Sequence, residues 1–155
     1  MIPDLIDMTG TPWPVLPPGI HPATFAEIRA AYATNAIRRD LYDGLLIGAA
    51  IFAKAGCSLI YLDGSYVTGK PLPGDYDVAW EPAGVNRAML DPVFFDFTNK
   101  RAAQKAKYRG EYWPVDHSAP YSFLDFFQKD EATGNKKGIL SIQISVTIVQ
   151  QGGSQ

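Results

Sequence analysis

Apolar and polar positions change period from segment to segment along the chain, and each change marks an expected element. Residues 1–22, MIPDLIDMTGTPWPVLPPGIHP, hold half of the twelve prolines, which predicts an extended, irregular arm rather than a helix. Its apolar residues Ile2, Leu5, Ile6, Trp13, Val15 and Leu16 predict that the arm lies against the domain or against another subunit. Thr24 followed three positions on by Glu27 is a capping-box pattern, so a short helix is expected over 25–32. From 34 to 55, Ile37, Leu41, Leu45, Ile51 and Phe52 return at helical spacing, and Gly56 closes the run. The apolar, β-prone SLIYL at 58–62 then reads as a strand.

The second half is less regular. Residues 85–95 read as partly helical, interrupted by Asp91-Pro92, and 100–107 as a further short helix. A strand is expected over 111–117, placed at an edge or a bulge by Pro114. An aromatic helix over 121–128, a polar loop over 129–138 and a strand over the alternating ILSIQISVTIV at 139–149 complete the pattern. The expectation is an α+β domain over 23–150, a mixed sheet flanked by helices, with the arm 1–22 before it and a flexible tail over 151–155.

At 155 residues one domain suffices, and a formal charge of −2 gives no general attraction for nucleic acid or anionic membrane, so any anion site must be local. Cys57 is the single cysteine and opens the first core strand, which fits a buried, reduced thiol and a cytoplasmic protein. No membrane association is expected, because no apolar run approaches the length of a bilayer crossing.

The chemistry concentrates in DGSYVTGKPLPGDYDV at 63–78. On an extended strand Asp75 and Asp77 share a face while Tyr76 and Val78 point to the other, so two carboxylates converge on one spot. Hard oxygen ligands of this kind suit Mg²⁺ or Mn²⁺. Gly64 permits close approach of a phosphate to the backbone and Ser65 adds a hydroxyl, while Asp63 reads as a turn residue. Lys70 lies in the intervening loop, within reach of a phosphate or simply exposed.

The order Gly64-Ser65, nine residues, Asp75-Tyr76-Asp77-Val78 resembles the signature of the nucleotidyltransferase superfamily typified by DNA polymerase beta. The segments at 16–28, 62–78 and 126–142 also look like the DUF6932 group of nucleotidyltransferase-like proteins. The resemblance implies a minimal polymerase-beta-like core, an NTP donor, with ATP expected, and transfer of NMP, as AMP, to a protein or RNA hydroxyl. It also implies a third metal-binding carboxylate on a neighbouring strand. Asp116 is the expected residue, with Asp91, Asp96 and Asp125 as alternatives in helical or broken surroundings, and His117 beside it. Lys136 and Lys137 in NKKGILSI are candidate triphosphate contacts. A toxin–antitoxin or phage-defence setting is implied, with a toxin, antitoxin or tRNA as partner, and an oligomer is compatible with the apolar arm. Two alternatives stay open: an inactive core that acts by binding a nucleotide or partner protein, and an RNA-binding subunit using the basic stretch 100–109.

Overall fold

In a computed structural model, residues 1–118, 122–130 and 133–153 are described. The architecture is α+β, a mixed five-stranded sheet with helices on both faces. The strands are β1 (Ile20–Pro22), β2 (Leu59–Asp63), β3 (Tyr76–Trp80), β4 (Gly110–Pro114) and β5 (Ile139–Gln143), in the spatial order β1-β5-β2-β3-β4. The helices are α1 (Phe25–Tyr32), α2 (Ala36–Lys54), α3 (Thr98–Tyr108), α4 (Phe123–Phe127) and α5 (Val146–Gly153). Among the described residues no helix is long and apolar enough to cross a membrane.

Local chemistry accounts for the first helices. The Thr24 hydroxyl accepts from the Glu27 amide at 3.2 Å while the Glu27 carboxylate accepts from the Thr24 amide at 3.0 Å, satisfying two orphan donors of α1. Asn35 caps α2 in the same way, its Oδ1 accepting from the Arg38 amide. Leu41, Leu45, Ala49 and Phe52 of α2 are buried, whereas Ile37, expected on that stripe, is 46% exposed. Gly44 and Gly48, one turn apart, let α2 lie close to the Tyr108 carbonyl and the Tyr112 ring, where a β-carbon would clash.

Strand alternation sorts the sheet into two faces. Ile60, Leu62, Tyr76, Val78, Trp80, Tyr112, Leu140 and Ile142 join α1, α2, α3 and α5 in the main core. Tyr112 is fully buried and locked there, stacked on Phe52 at 5.5 Å and edge-on to Phe94 at 4.7 Å. On the opposite face, Tyr61, Ala79, Val115 and Ile139 form a smaller cluster beneath Phe123, Leu124 and Phe127 of α4. That second face also carries the acids described below.

The N-terminal segment is part of the fold. Ile6 bridges Val15, Val15 and Leu16 are buried, and Ile2 and Leu5 pack against the core. Its end, read from sequence as irregular, is β1, paired in parallel with β5. β4 is an edge strand, as Pro114 predicts, and the buried Gln104 side chain covers it by accepting from the Tyr112 amide at 2.7 Å. Residues 85–95 supply two 3₁₀ turns, Arg87–Met89 and Pro92–Phe95, on either side of Asp91.

One element differs in kind. The expected strand over 139–149 ends at Gln143, and the chain turns at Ser145 into α5, whose Val149 packs on the core. Its apolar residues satisfy both periods over so short a run, and docking against α1 and α2 decides for the helix. α5 reaches Gly153, into the stretch expected as tail; residues 154–155, like the expected start of the aromatic helix at 121, lie outside the described residues.

Candidate metal centre

The acids are aligned by strand register. Asp63 on β2 is the antiparallel partner of Asp77 on β3, and Asp77 is the parallel partner of Glu111 on β4, so one row across three strands carries three carboxylates. Asp75, two residues before Asp77, shares its face. Asp75, Asp77 and Glu111 each place a carboxylate oxygen within 4.8 Å of the other two. On the core side of the same strands, the Tyr76 hydroxyl meets the Tyr112 hydroxyl at 2.6 Å and donates to the Tyr108 carbonyl at 2.8 Å.

Glu111, the third carboxylate of this group, is a residue the sequence reading passed over. Asp116 does not join it: it lies exposed beyond the end of β4, and its Oδ1 accepts from the Ser118 amide at 2.9 Å and hydroxyl at 2.6 Å. That is a local Asx turn, which holds the side chain to its own loop. The alternatives also stay out of the cluster, Asp125 being exposed on α4. Asp91 binds Lys107 and Tyr108, and Asp96 caps Thr98. Neighbouring His117 pairs with Glu81 at 2.7 Å. A carboxylate inside the apolar run GEYWPV was the available signal for Glu111, and it becomes decisive only once β4 is aligned with β3.

Gly64 closes the site from the side of β2. Its φ of +84° and ψ of −172° suit glycine alone, and a β-carbon there would stand 2.6 Å from Asp77 Oδ2. Ser65 follows at the start of the 3₁₀ turn Ser65–Val67, so of the Gly-Ser pair Gly64 is the residue against Asp77. Lys70 stands over the Trp13 ring at 5.2 Å, with its charge felt at Asp75.

The two other lysines separate. Lys136 is exposed and its backbone bridges Lys129. Lys137 is buried, and its ammonium donates to the carboxylate of Asp63. Asp63 is therefore the buried last residue of β2 rather than a simple turn residue, and Lys137 neutralises the acid next to Asp77.

Further cations come from the basic stretch. At the start of α3, Asn99, Lys100 and Arg101 adopt left-handed φ values of 50°, 54° and 61°, an arrangement costly for residues with a β-carbon. Arg101 Nε lies 3.0 Å and Lys105 Nζ 3.6 Å from the same Glu111 oxygen, and the Arg101 guanidinium covers the Trp113 ring at 4.9 Å. Part of the apparent basic face thus looks inward to the acids.

Burial pushes the Asp77 carboxyl well above the usual carboxylate range. The charge of Asp75, a hydrogen bond with Glu111 and the charges of Glu111 and Asp63 push it the same way. Burial and Glu111 also raise Asp75, against the opposing pull of Lys105, Lys70 and Arg101. Asp77 Oδ1 is buried without a hydrogen-bond partner. An orphaned carboxylate oxygen amid clustered hard donors fits a divalent cation, which replaces mutual repulsion with shared coordination.

A family model described as a family of unknown function, DUF6932, matches residues 8–143. The chain belongs to the DUF6932 family. The match spans all five strands, so the acids and the Gly-Ser turn lie within the DUF6932 region. No curated protein and no solved structure matches the chain.

Proposed function

We propose that this protein is a divalent-metal-dependent nucleotidyltransferase that moves an NMP unit, AMP from ATP, to a hydroxyl of a protein or RNA. The observation that carries the reading is the convergence of Asp75, Asp77 and Glu111 within 4.8 Å beside the Gly64-Ser65 turn. The resemblance to the polymerase-beta-like superfamily supports it, with Glu111 in the role the sequence assigned to Asp116.

Asp75, Asp77 and Glu111 would hold Mg²⁺ or Mn²⁺, which supplies positive charge to phosphate oxygens. In this reading Gly64 would admit a phosphate to the backbone, and Ser65 and Lys70 would offer it a hydroxyl and an ammonium. In the transfer, the acceptor oxygen bonds to the α-phosphorus, the bond to the bridging oxygen breaks and pyrophosphate leaves. Glu111 would take the acceptor's proton. A toxin–antitoxin or phage-defence role, with a protein or tRNA partner, belongs to the same proposal.

A second reading has its own observation. Arg101 and Lys105 already engage Glu111, as they would in a core that binds a nucleotide or partner without turning it over. One experiment separates the two. The purified protein is incubated with each NTP radiolabelled in the α-phosphate, Mg²⁺ or Mn²⁺ and cell lysate, beside Asp75→Ala/Asp77→Ala and Glu111→Gln. Label on a protein or RNA band with the wild type alone supports transfer; metal-dependent nucleotide binding without label supports occupancy; neither result sinks both.

A further inference from the structure

Arg38 is a buried cation whose hydrogen bonds all go to backbone carbonyls. Its Nη1 donates to the carbonyls of Tyr32 at 3.2 Å and Tyr66 at 2.7 Å, and its Nη2 to those of Thr68 at 2.9 Å and Lys70 at 2.5 Å. Three of these four acceptors lie in the segment that links the Gly64-Ser65 turn to Asp75. The guanidinium also lies 5.2 Å from the centre of the Tyr66 ring, and the Tyr66 hydroxyl donates back to the Arg38 carbonyl at 3.1 Å. One turn earlier, Asn35 Nδ2 donates to the Pro71 carbonyl at 2.9 Å while Asn35 Oδ1 caps the helix.

We infer that Asn35, the cap of α2, and Arg38, on its first turn, are positioning residues that set the 65–71 segment against the carboxylates. This inference rests on the transferase reading and names what places its phosphate-contacting side. Neither residue belongs to the acidic cluster. They act through the loop, which carries exposed Leu72 and Gly74 and whose amide at Gly69 is tied only to the arm, at the Pro14 carbonyl. A planar fork can gather several carbonyls at once, whereas a lysine ammonium on a flexible stem cannot reproduce that spread. The carbonyl at Tyr32 ends α1, so the same cation also compensates a helix C-terminus. Both contributions predict that removing Arg38 lowers stability as well as loosening the loop, and Asn35 separates them. Asp at position 35 keeps a capping oxygen and removes the donor to Pro71.

The test compares wild type, Asn35→Asp and Arg38→Lys, each first shown to be folded by circular dichroism, in calorimetric titrations with Mn²⁺ alone and with Mg·ATP. The expected result is Mn²⁺ affinity within about twofold of wild type, with Mg·ATP affinity reduced by about tenfold to a hundredfold, the scale for misplaced contacts. Unchanged Mg·ATP affinity in Asn35→Asp, or a parallel loss of Mn²⁺ and Mg·ATP binding, overturns the assignment. A wild type that binds Mn²⁺ but no Mg·ATP removes the transferase reading itself and the positioning role with it. If Arg38→Lys does not fold, Asn35→Asp alone decides.

Discussion

Asp77 and Glu111 are register partners in the parallel β3–β4 ladder, and each brings a carboxylate oxygen within 4.8 Å of the other. Carboxylates so close repel, and neutralising one of them or placing a cation among them relieves the repulsion. The protonation of Asp77 and the loading of a metal are thus competing solutions to one electrostatic problem.

Metal binding is expected to need Glu111 and not Asp116. Glu111→Gln lowers Mn²⁺ affinity by at least about tenfold, while Asp116→Ala stays within about twofold. Titration calorimetry on the folded variants reads the difference, and equal losses at both positions would contradict the cluster.

The acids set the pH response of the metal-free protein. Asp77 is raised when folded above its ordinary value of 3.8, so its stabilising contribution is fully present below that pH and is lost as pH rises through the folded value. Asp77→Asn is expected to melt higher than wild type at neutral pH without metal, by about 2–4 °C for each kcal/mol of repulsion relieved. Calorimetric scans across pH check both signs; a wild type that gains stability through this window would refute the assignment.

Gly64→Ala combines two penalties. The backbone there costs a residue with a β-carbon about 1–3 kcal/mol, and the new methyl group meets Asp77 Oδ2 at 2.6 Å. Urea unfolding should show the stability loss, and Mn²⁺ titration a weaker site. Gly74→Ala is the control, since nothing lies within 4 Å of its β-carbon position.

Breaking the Lys137–Asp63 pair takes the ammonium away from a buried carboxylate. Lys137→Met should cost about 3–5 kcal/mol, and adding Asp63→Asn should recover part of that loss. A double-mutant cycle by urea unfolding measures the coupling; additive single effects would show that the pair carries no interaction energy.

Legibility followed the range of the interactions. Thr24 with Glu27 marks α1 because the capping bonds join residues three apart, and Asp75 with Asp77 marks a shared face because a strand alternates locally. Glu111 was hidden because its membership depends on the pairing of β3 with a strand thirty-four positions along. Asp116 is an acid after a strand, yet its carboxylate accepts from Ser118 in its own loop. Residues 139–149 misled for a related reason: ILSIQISVTIV fits a strand throughout, and only packing against α1 and α2 turns its second half into α5.

Tyr112 sits next to Glu111 in the chain and on the other side of the sheet, stacked on Phe52 in the interior. A slip of β4 by one residue would force this ring out of the core and turn Glu111 away from Asp77 in the same movement. The aromatic interior is therefore a ruler for the acids outside it, and a substitution that loosens the ring can scatter the cluster with every carboxylate still in the sequence.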